Sequence, residues 1–164
     1  MTDMVSAKPT VVIKYLLPEQ DESAAAILAP ATGAGTVEQA RDVIAAARTD
    51  PDTELFGLNI DGELAGVYLL HKVTLMNEIT HLAIAERFRR QGHGRACLYD
   101  ALLRSGRRPL VVETDDDAVG FYKRCGFKLV GKRKHPSGTI RYRLGWHAPL
   151  PKAVAVTEPE HSNG

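Results

Sequence analysis

Arg89-Arg90-Gln91-Gly92-His93-Gly94-Arg95-Ala96 follows an apolar stretch and runs directly into a helical pattern that begins at Gly94. Two glycines spaced two apart at the opening of a helix expose consecutive backbone N–H groups. Those donors, together with the positive end of the helix dipole, hold a phosphate or pyrophosphate. A Cβ at 92 or 94 would keep phosphate oxygens from reaching the backbone. Downstream, residues 111–127 run from the apolar Val111-Val112 through the acidic turn Asp115-Asp116-Asp117 into Phe121-Tyr122 and stop at Gly126-Phe127. An anion-binding loop followed by a second strand–turn–helix segment makes a functional pair.

The elements that must position these residues alternate along the chain. Residues 10–16 read as a β-branched strand closed by Pro18, and 22–28 as a short helix before Pro30. Thr36 reads as an N-cap with Gln39 three residues on, opening a helix to Arg48 that has Ala40, Val43, Ile44 and Ala47 on one face. Strands over 53–60 and 63–72 are joined by Asp61-Gly62, a hairpin signal, and 78–85 is a further strand. A helix over 94–105, a buried strand over 109–113, a helix over 117–124, and a final hairpin of 127–133 with 139–146 complete the order. This order predicts an α/β (α+β) fold. Its mixed, mostly antiparallel sheet has six to seven strands, flanked by about four helices, with parallel character entering after Glu78. Residues 1–9 read as an extension, 10–146 as a single domain, and 147–164, with three prolines, as a disordered tail.

Composition narrows the classes. A chain of 164 residues with 44% hydrophobic and 25% charged content is an ordinary globular domain. No apolar run approaches the roughly 20 residues of a membrane span, and Met1-Thr2-Asp3-Met4 has no basic patch followed by an apolar stretch, so export is not expected. Cys97 and Cys125 belong to no Cys/His cluster of a metal site, so free thiols in the cytoplasm and no metal are expected. The net charge of +1 divides unevenly: residues 1–85 carry 5 Lys/Arg against 12 Asp/Glu, and residues 86–145 carry 15 against 6. A basic second half points to an anionic ligand. Its arginines are not interleaved with exposed aromatics, which argues against nucleic acid.

With these residues in place, the segment 82–127 resembles the core of the GNAT superfamily of acyl-CoA-dependent N-acyltransferases. The phosphate-loop pattern Arg/Gln-x-x-Gly-x-Gly/Ala is matched by Arg89 to Gly94, and the second signature, Phe-Tyr-x-x-x-Gly-Phe, by Phe121 to Phe127. The departure is Asp115, where many members carry Asn; a carboxylate keeps the acceptor and loses the amide donor.

The resemblance implies an acetyltransferase that moves an acetyl group from acetyl-CoA to a primary amine by direct attack in a ternary complex. It implies splayed central strands, with Leu82, Ala83 and Ile84 receiving the pantetheine arm and supplying an oxyanion N–H. Arg89, Arg90, Gln91, Gly92, His93, Gly94 and Arg95 would take the pyrophosphate, and Asp115 a further cofactor contact. Tyr122 is the expected general acid toward the departing sulfur, with Phe121 as the core member of that pair. Glu78 or His81 is the expected base. An unbroken strand puts them on opposite faces, and one bulge would reverse the assignment. The acceptor is a small-molecule or peptide amine, its groove lined by 19–36 and the loop 134–138; the acidic first half would suit a cationic amine. The last strand, 139–146, reads as edge-like or dimer-forming, which leaves a homodimer open. A catalytically silent acyl-CoA-binding sensor or partner module is the alternative.

Overall fold

The computed structural model describes residues 7–146 apart from Arg107. The predicted tail 147–164 and the first six residues of the predicted extension lie outside the described residues. In chain order the elements are β1 (Val11–Tyr15), α1 (Asp21–Leu28), α2 (Val37–Thr49), β2 (Thr53–Ile60), β3 (Glu63–Lys72) and β4 (Asn77–Ile84). Then come α3 (His93–Ser105), β5 (Leu110–Thr114), α4 (Val119–Arg124), β6 (Lys128–Lys134) and β7 (Ile140–Trp146). Short 3₁₀ turns occupy Pro18–Gln20, Ala29–Ala31 and Glu86–Phe88.

Local chemistry accounts for several boundaries. Asp61 and Gly62 both take positive φ (49° and 84°), the geometry of a two-residue hairpin turn, and the Asp61 carboxylate accepts the Thr10 N–H to fasten the start of β1. Thr36 caps α2 by accepting the Gln39 N–H at 3.1 Å, a contact of the kind that contributes about 1 kcal/mol. The Gln39 side chain accepts from the Ala34 N–H instead of closing a reciprocal box. The helix expected from Asp117 begins at Val119, because Asp115 Oδ1 accepts the N–H groups of Asp117 and Ala118 and holds a turn there.

The seven strands form one sheet in the order β1-β2-β3-β4-β5-β7-β6, antiparallel throughout except for β4 against β5. The last strand is therefore not an edge, as the sequence suggested: β7 lies between β5 and β6, and β6, exposed along its length, forms the border. Its Lys128, Lys132 and Lys134 are the charges that commonly discourage pairing with another chain. The two faces bury separate clusters. Ala24, Ala25 and Leu28 of α1 and Ala40 and Ile44 of α2 pack on Leu55, Val67 and Leu69. Leu98, Ala101 and Leu102 of α3 and Tyr122 of α4 pack on Leu58, Tyr68, Leu70, Ile79 and Val112. Each fully buried leucine here contributes about 1.5–3 kcal/mol by leaving water.

The functionally decisive feature is how briefly β4 and β5 pair. Their ladder holds only Asn77–Leu110, Glu78–Val111 and Ile79–Val112. Beyond it β4 continues to Ile84 and β5 to Thr114 without meeting, so the sheet forks.

Candidate active site

The fork opens into a cleft of about 770 Å³. One wall is Leu82, Ala83 and Ile84 at the end of β4; the floor is the loop and first turn of α3, and the other wall is α4. Pro30 and Ala31, from the turn after α1, reach the cleft from the opposite side of the sheet.

Gly92 is the N-cap of α3 and sits at φ 85°, and Arg90 before it also takes a positive φ of 64°. A Cβ built at Gly92 would meet nothing within 4 Å, so glycine serves there for backbone conformation and for open access to the helix end. The first intrahelical bond runs from the Ala96 N–H to the Gly92 carbonyl, which leaves the N–H groups of His93, Gly94 and Arg95 without an intrahelical acceptor. No side chain caps this end and no acidic residue lies in its first turn. That donor set, at the positive end of a helix and with Arg89, Arg90, Arg95 and Arg124 lining the same cleft, fits a pyrophosphate. Gly94 has a different reason from the one its spacing suggested. Its Cβ would lie 3.2 Å from Cζ of Phe121, so glycine lets α3 and α4 approach.

The arginines divide their work. Arg89 Nε donates to the Ile84 carbonyl at 2.9 Å and fixes the end of β4 to the loop. Arg95 donates to the Arg124 carbonyl at 3.2 Å and joins α3 to the end of α4. On β4 the Ala85 N–H bonds the Ala65 carbonyl of the β3 side, while the Ile84 carbonyl faces Arg89. Strand alternation therefore turns the N–H groups of Leu82 and Ile84 away from β3, toward the cleft, where an amide-bearing chain can meet them.

Tyr122 is buried, and its ring packs edge-on against Phe121 and Phe127 at centroid distances of 5.1 and 5.6 Å. Burial pushes its phenol up to about 12, with Cys125 and Asp115 adding to the shift, so it stays a proton donor at neutral pH. The expectation that Phe121 is the core member of the pair is reversed. Phe121 is the less buried of the two, because it leans on the open backbone of Gly94 while Tyr122 enters the cluster under the sheet.

β4 carries a bulge. Leu70 pairs with Ile79 and Leu69 with His81, which leaves Thr80 as the extra residue. Glu78 opposite His71 and His81 opposite Leu69 consequently share the α1–α2 face, not opposite faces as an unbroken strand would have them. Burial lowers the His81 pKa, and its Nδ1 lies 3.1 Å from the Thr80 hydroxyl. Glu78, His81, Gln91 and Asp115 do not line the cleft itself. Asp115 spends its carboxylate on the turn before α4. Lining residues that the sequence reading did not assign to the site are Phe88, Asp117, Ala118, Phe121 and Arg124; they lie within or beside the two signatures on a helix or turn. No carboxylate among the described residues up to 85 lines the cleft, and Asp21, Glu22, Glu54 and Glu63 are paired with Arg48, Arg41, Lys72 and Arg87. Among the described residues no cluster of His, Cys, Asp and Glu could hold a metal ion, and no helix is long and apolar enough to cross a membrane.

The forked, seven-stranded mixed sheet with its four helices is a GNAT-like fold, shared with solved structures of that family. A family profile described as an acetyltransferase (GNAT) domain matches residues 20–141, and the chain belongs to the GNAT acetyltransferase family. No curated protein matches the chain. Among solved structures, the ribosomal-protein-S18-alanine N-acetyltransferase of Escherichia coli is 19% identical with a TM-score of 0.70, over 87% of this chain and 96% of that one. An aminoglycoside 6'-N-acetyltransferase complexed with coenzyme A is 14% identical with a TM-score of 0.72, over 85% and 99%. A GNAT family acetyltransferase from Elizabethkingia anophelis with acetyl-CoA bound is 22% identical with a TM-score of 0.63, over 84% and 98%. These likenesses are of fold.

Proposed function

We propose that the protein is an acetyl-CoA:amine N-acetyltransferase acting by direct attack of a primary amine in a ternary complex. The observation that carries this reading is the joining, in one cleft, of the uncapped N-terminus of α3, the unpartnered edge of β4 and the Tyr122 phenol. The N–H groups of His93, Gly94 and Arg95 hold the pyrophosphate, with Arg89, Arg90 and Arg95 around it. Leu82, Ala83 and Ile84 align the pantetheine arm, and a β4 N–H receives charge on the thioester oxygen. Acetyl-CoA supplies the activated acetyl group. Tyr122 donates its proton toward the sulfur as the thiolate leaves. Glu78 or His81, on the α1–α2 face of β4, removes the amine proton, through water if the cleft wall stands between. Asp115 supports the site by shaping the turn that places Tyr122.

Calorimetry with acetyl-CoA, followed by thiol release over an amine panel, tests the proposal. Binding tighter than about millimolar and release of free CoA with at least one amine are expected; no binding of acetyl-CoA or CoA overturns the cofactor assignment. A silent acyl-CoA-binding module is the second reading, favoured by Glu78 and His81 lying off the cleft wall. It predicts equal binding with no turnover.

A further inference from the structure

The sheet face that carries Glu78 and His81 continues past the fork onto β5, β7 and β6. Glu78 is in register with Val111, and Glu113 follows on the same face of β5. Glu113 lies opposite Arg143 of β7, and Arg141 of β7 lies opposite Arg133 of β6. The helices α1 and α2 pack on β2, β3 and β4. On this face three guanidinium groups, those of Arg133, Arg141 and Arg143, surround the single carboxylate of Glu113, and the pairing is uneven. Arg133 holds Glu113 at 2.7 Å, and Arg141 stands 3.9 Å from the same carboxylate and donates to the Glu113 carbonyl. Arg143 is half-buried, and among the described residues its side chain donates only to the Met76 sulfur, at 3.4 Å. A thioether is a weak acceptor, and a guanidinium has five donors in a planar fork. A partly desolvated guanidinium with no oxygen acceptor favours an incoming oxyanion, and a carboxylate fits that fork with two parallel bonds.

We propose that Arg143, with Arg141 beside it, anchors a carboxylate on the acceptor, so that the amine substrate is an amino acid or short peptide and not a polycation. This rests on the reading of the fork as the acetyl-transfer site. Paired strands lie about 4.8 Å apart, so at the last rung before the fork, Ile79–Val112–Leu144, β7 is about 10 Å from β4, and Arg143 is the next residue along β7. An arginine arm spans much of that distance, and a dipeptide-sized molecule reaches from the guanidinium to the fork. Of the acidic residues of the first half, which suggested a cationic acceptor, Asp21, Glu22, Glu54 and Glu63 are paired internally, and none of those described lines the cleft.

The test compares alanylalanine with its C-terminal amide, by calorimetry on CoA-saturated protein and by thiol release with acetyl-CoA. Wild type is expected to bind the acid at least tenfold more tightly than the amide, and to show the same preference in KM. Arg143→Gln should erase the preference, leaving the acetyl-CoA affinity unchanged; Arg141→Gln should reduce it and serves if Arg143→Gln fails to fold. Equal binding of acid and amide, no binding of either, or a preference that survives in both variants overturns the assignment. Turnover of the amide at least as good as that of the acid overturns it too, while leaving acetyl transfer standing. Tighter binding of the acid with no acetylation of either supports the anchor and removes the enzymatic reading.

Discussion

Gly94 and Phe121 are fitted to each other: a Cβ at position 94 would stand 3.2 Å from Cζ of the ring, tighter than ordinary van der Waals contact. Gly94→Ala is therefore expected to push Phe121 and shift α3 against α4, at a cost of about 1–3 kcal/mol if the ring cannot give way. Phe121→Leu in the same chain should recover most of that loss. The check is a double-mutant cycle by urea denaturation, in which additive effects would remove the contact as the reason for the glycine.

At Gly92 the expected damage is to ligand binding and backbone together. A non-glycine residue at φ 85° costs about 1–2 kcal/mol, and a methyl group there projects into open space beside the free N–H groups. Gly92→Ala should lower the melting temperature modestly and weaken acetyl-CoA binding about tenfold or more. The two glycines then separate experimentally: the 92 variant responds in acetyl-CoA affinity at unchanged Phe121, whereas the 94 variant is rescued by trimming the ring.

Removing the phenol should affect turnover and not binding. Tyr122→Phe deletes a hydroxyl that makes no hydrogen bond among the described residues, so the fold should be little changed. A loss of kcat of about 10²-fold or more is expected for a general acid, with the acetyl-CoA dissociation constant unchanged. Because the free phenol is pushed up to about 12, its deprotonation cannot set an alkaline limb near pH 9 or 10. A limb there that vanishes in Tyr122→Phe would contradict the placement.

The two base candidates share one face of β4, and pH dependence separates them. Burial depresses the His81 pKa, so the neutral imidazole persists below the usual 6.5. If His81 is the base, activity stays level down through pH 6.5 and falls only as the lowered pKa is crossed, and His81→Ala abolishes that limb. The linked stability has the same sign: the native state favours the neutral ring, so stability is present above about 6.5 and is lost as pH falls through the folded value. Glu78→Gln should abolish turnover at all pH values if the glutamate is the base instead. Thermal melts and kcat/KM profiles between pH 5 and 8 decide the case.

What the sequence made legible was local. Asp61-Gly62 carries its turn geometry in its own residue types, and Gly92 announces the helix end by adjacency to the apolar strand before it. The bulge at Thr80 was not legible, because no glycine or proline marks it and it arises where β3 and β4 must keep both faces buried. The position of β7 was equally hidden: alternation in Ile140, Tyr142 and Leu144 marks one buried face but not which neighbours the strand has. The reversal of Phe121 and Tyr122 has the same origin, since adjacent helical residues differ by 100° and only Gly94 decides which one stays near the surface. The arginines around Glu113 come from β6 and β7 and meet only in the folded sheet.

Tyr68, Asp100 and Arg104 form the polar junction between α3 and the sheet, and its response to mutation should be asymmetric. The Tyr68 hydroxyl donates to Asp100 at 2.6 Å, and Arg104 donates to the same carboxylate oxygen at 2.7 Å while its guanidinium covers the Phe56 ring at 4.2 Å. Burial and the neighbouring carboxylate hold the Tyr68 phenol well above its ordinary value, so it remains a donor in need of an acceptor. Asp100→Ala strands that hydroxyl in the core, a penalty of about 1–3 kcal/mol, and also releases Arg104 from its fixed position over the ring. Tyr68→Phe removes the donor and leaves Asp100 at the rim with Arg104 still bonded, so it should cost less than half as much. Removing both partners, in Asp100→Ala with Tyr68→Phe, should cost less than the sum of the two single changes. Urea denaturation of the four proteins measures the coupling. Equal losses in the two single variants would mean that the hydroxyl finds water when Asp100 is gone, and that this junction is solvated and not dry.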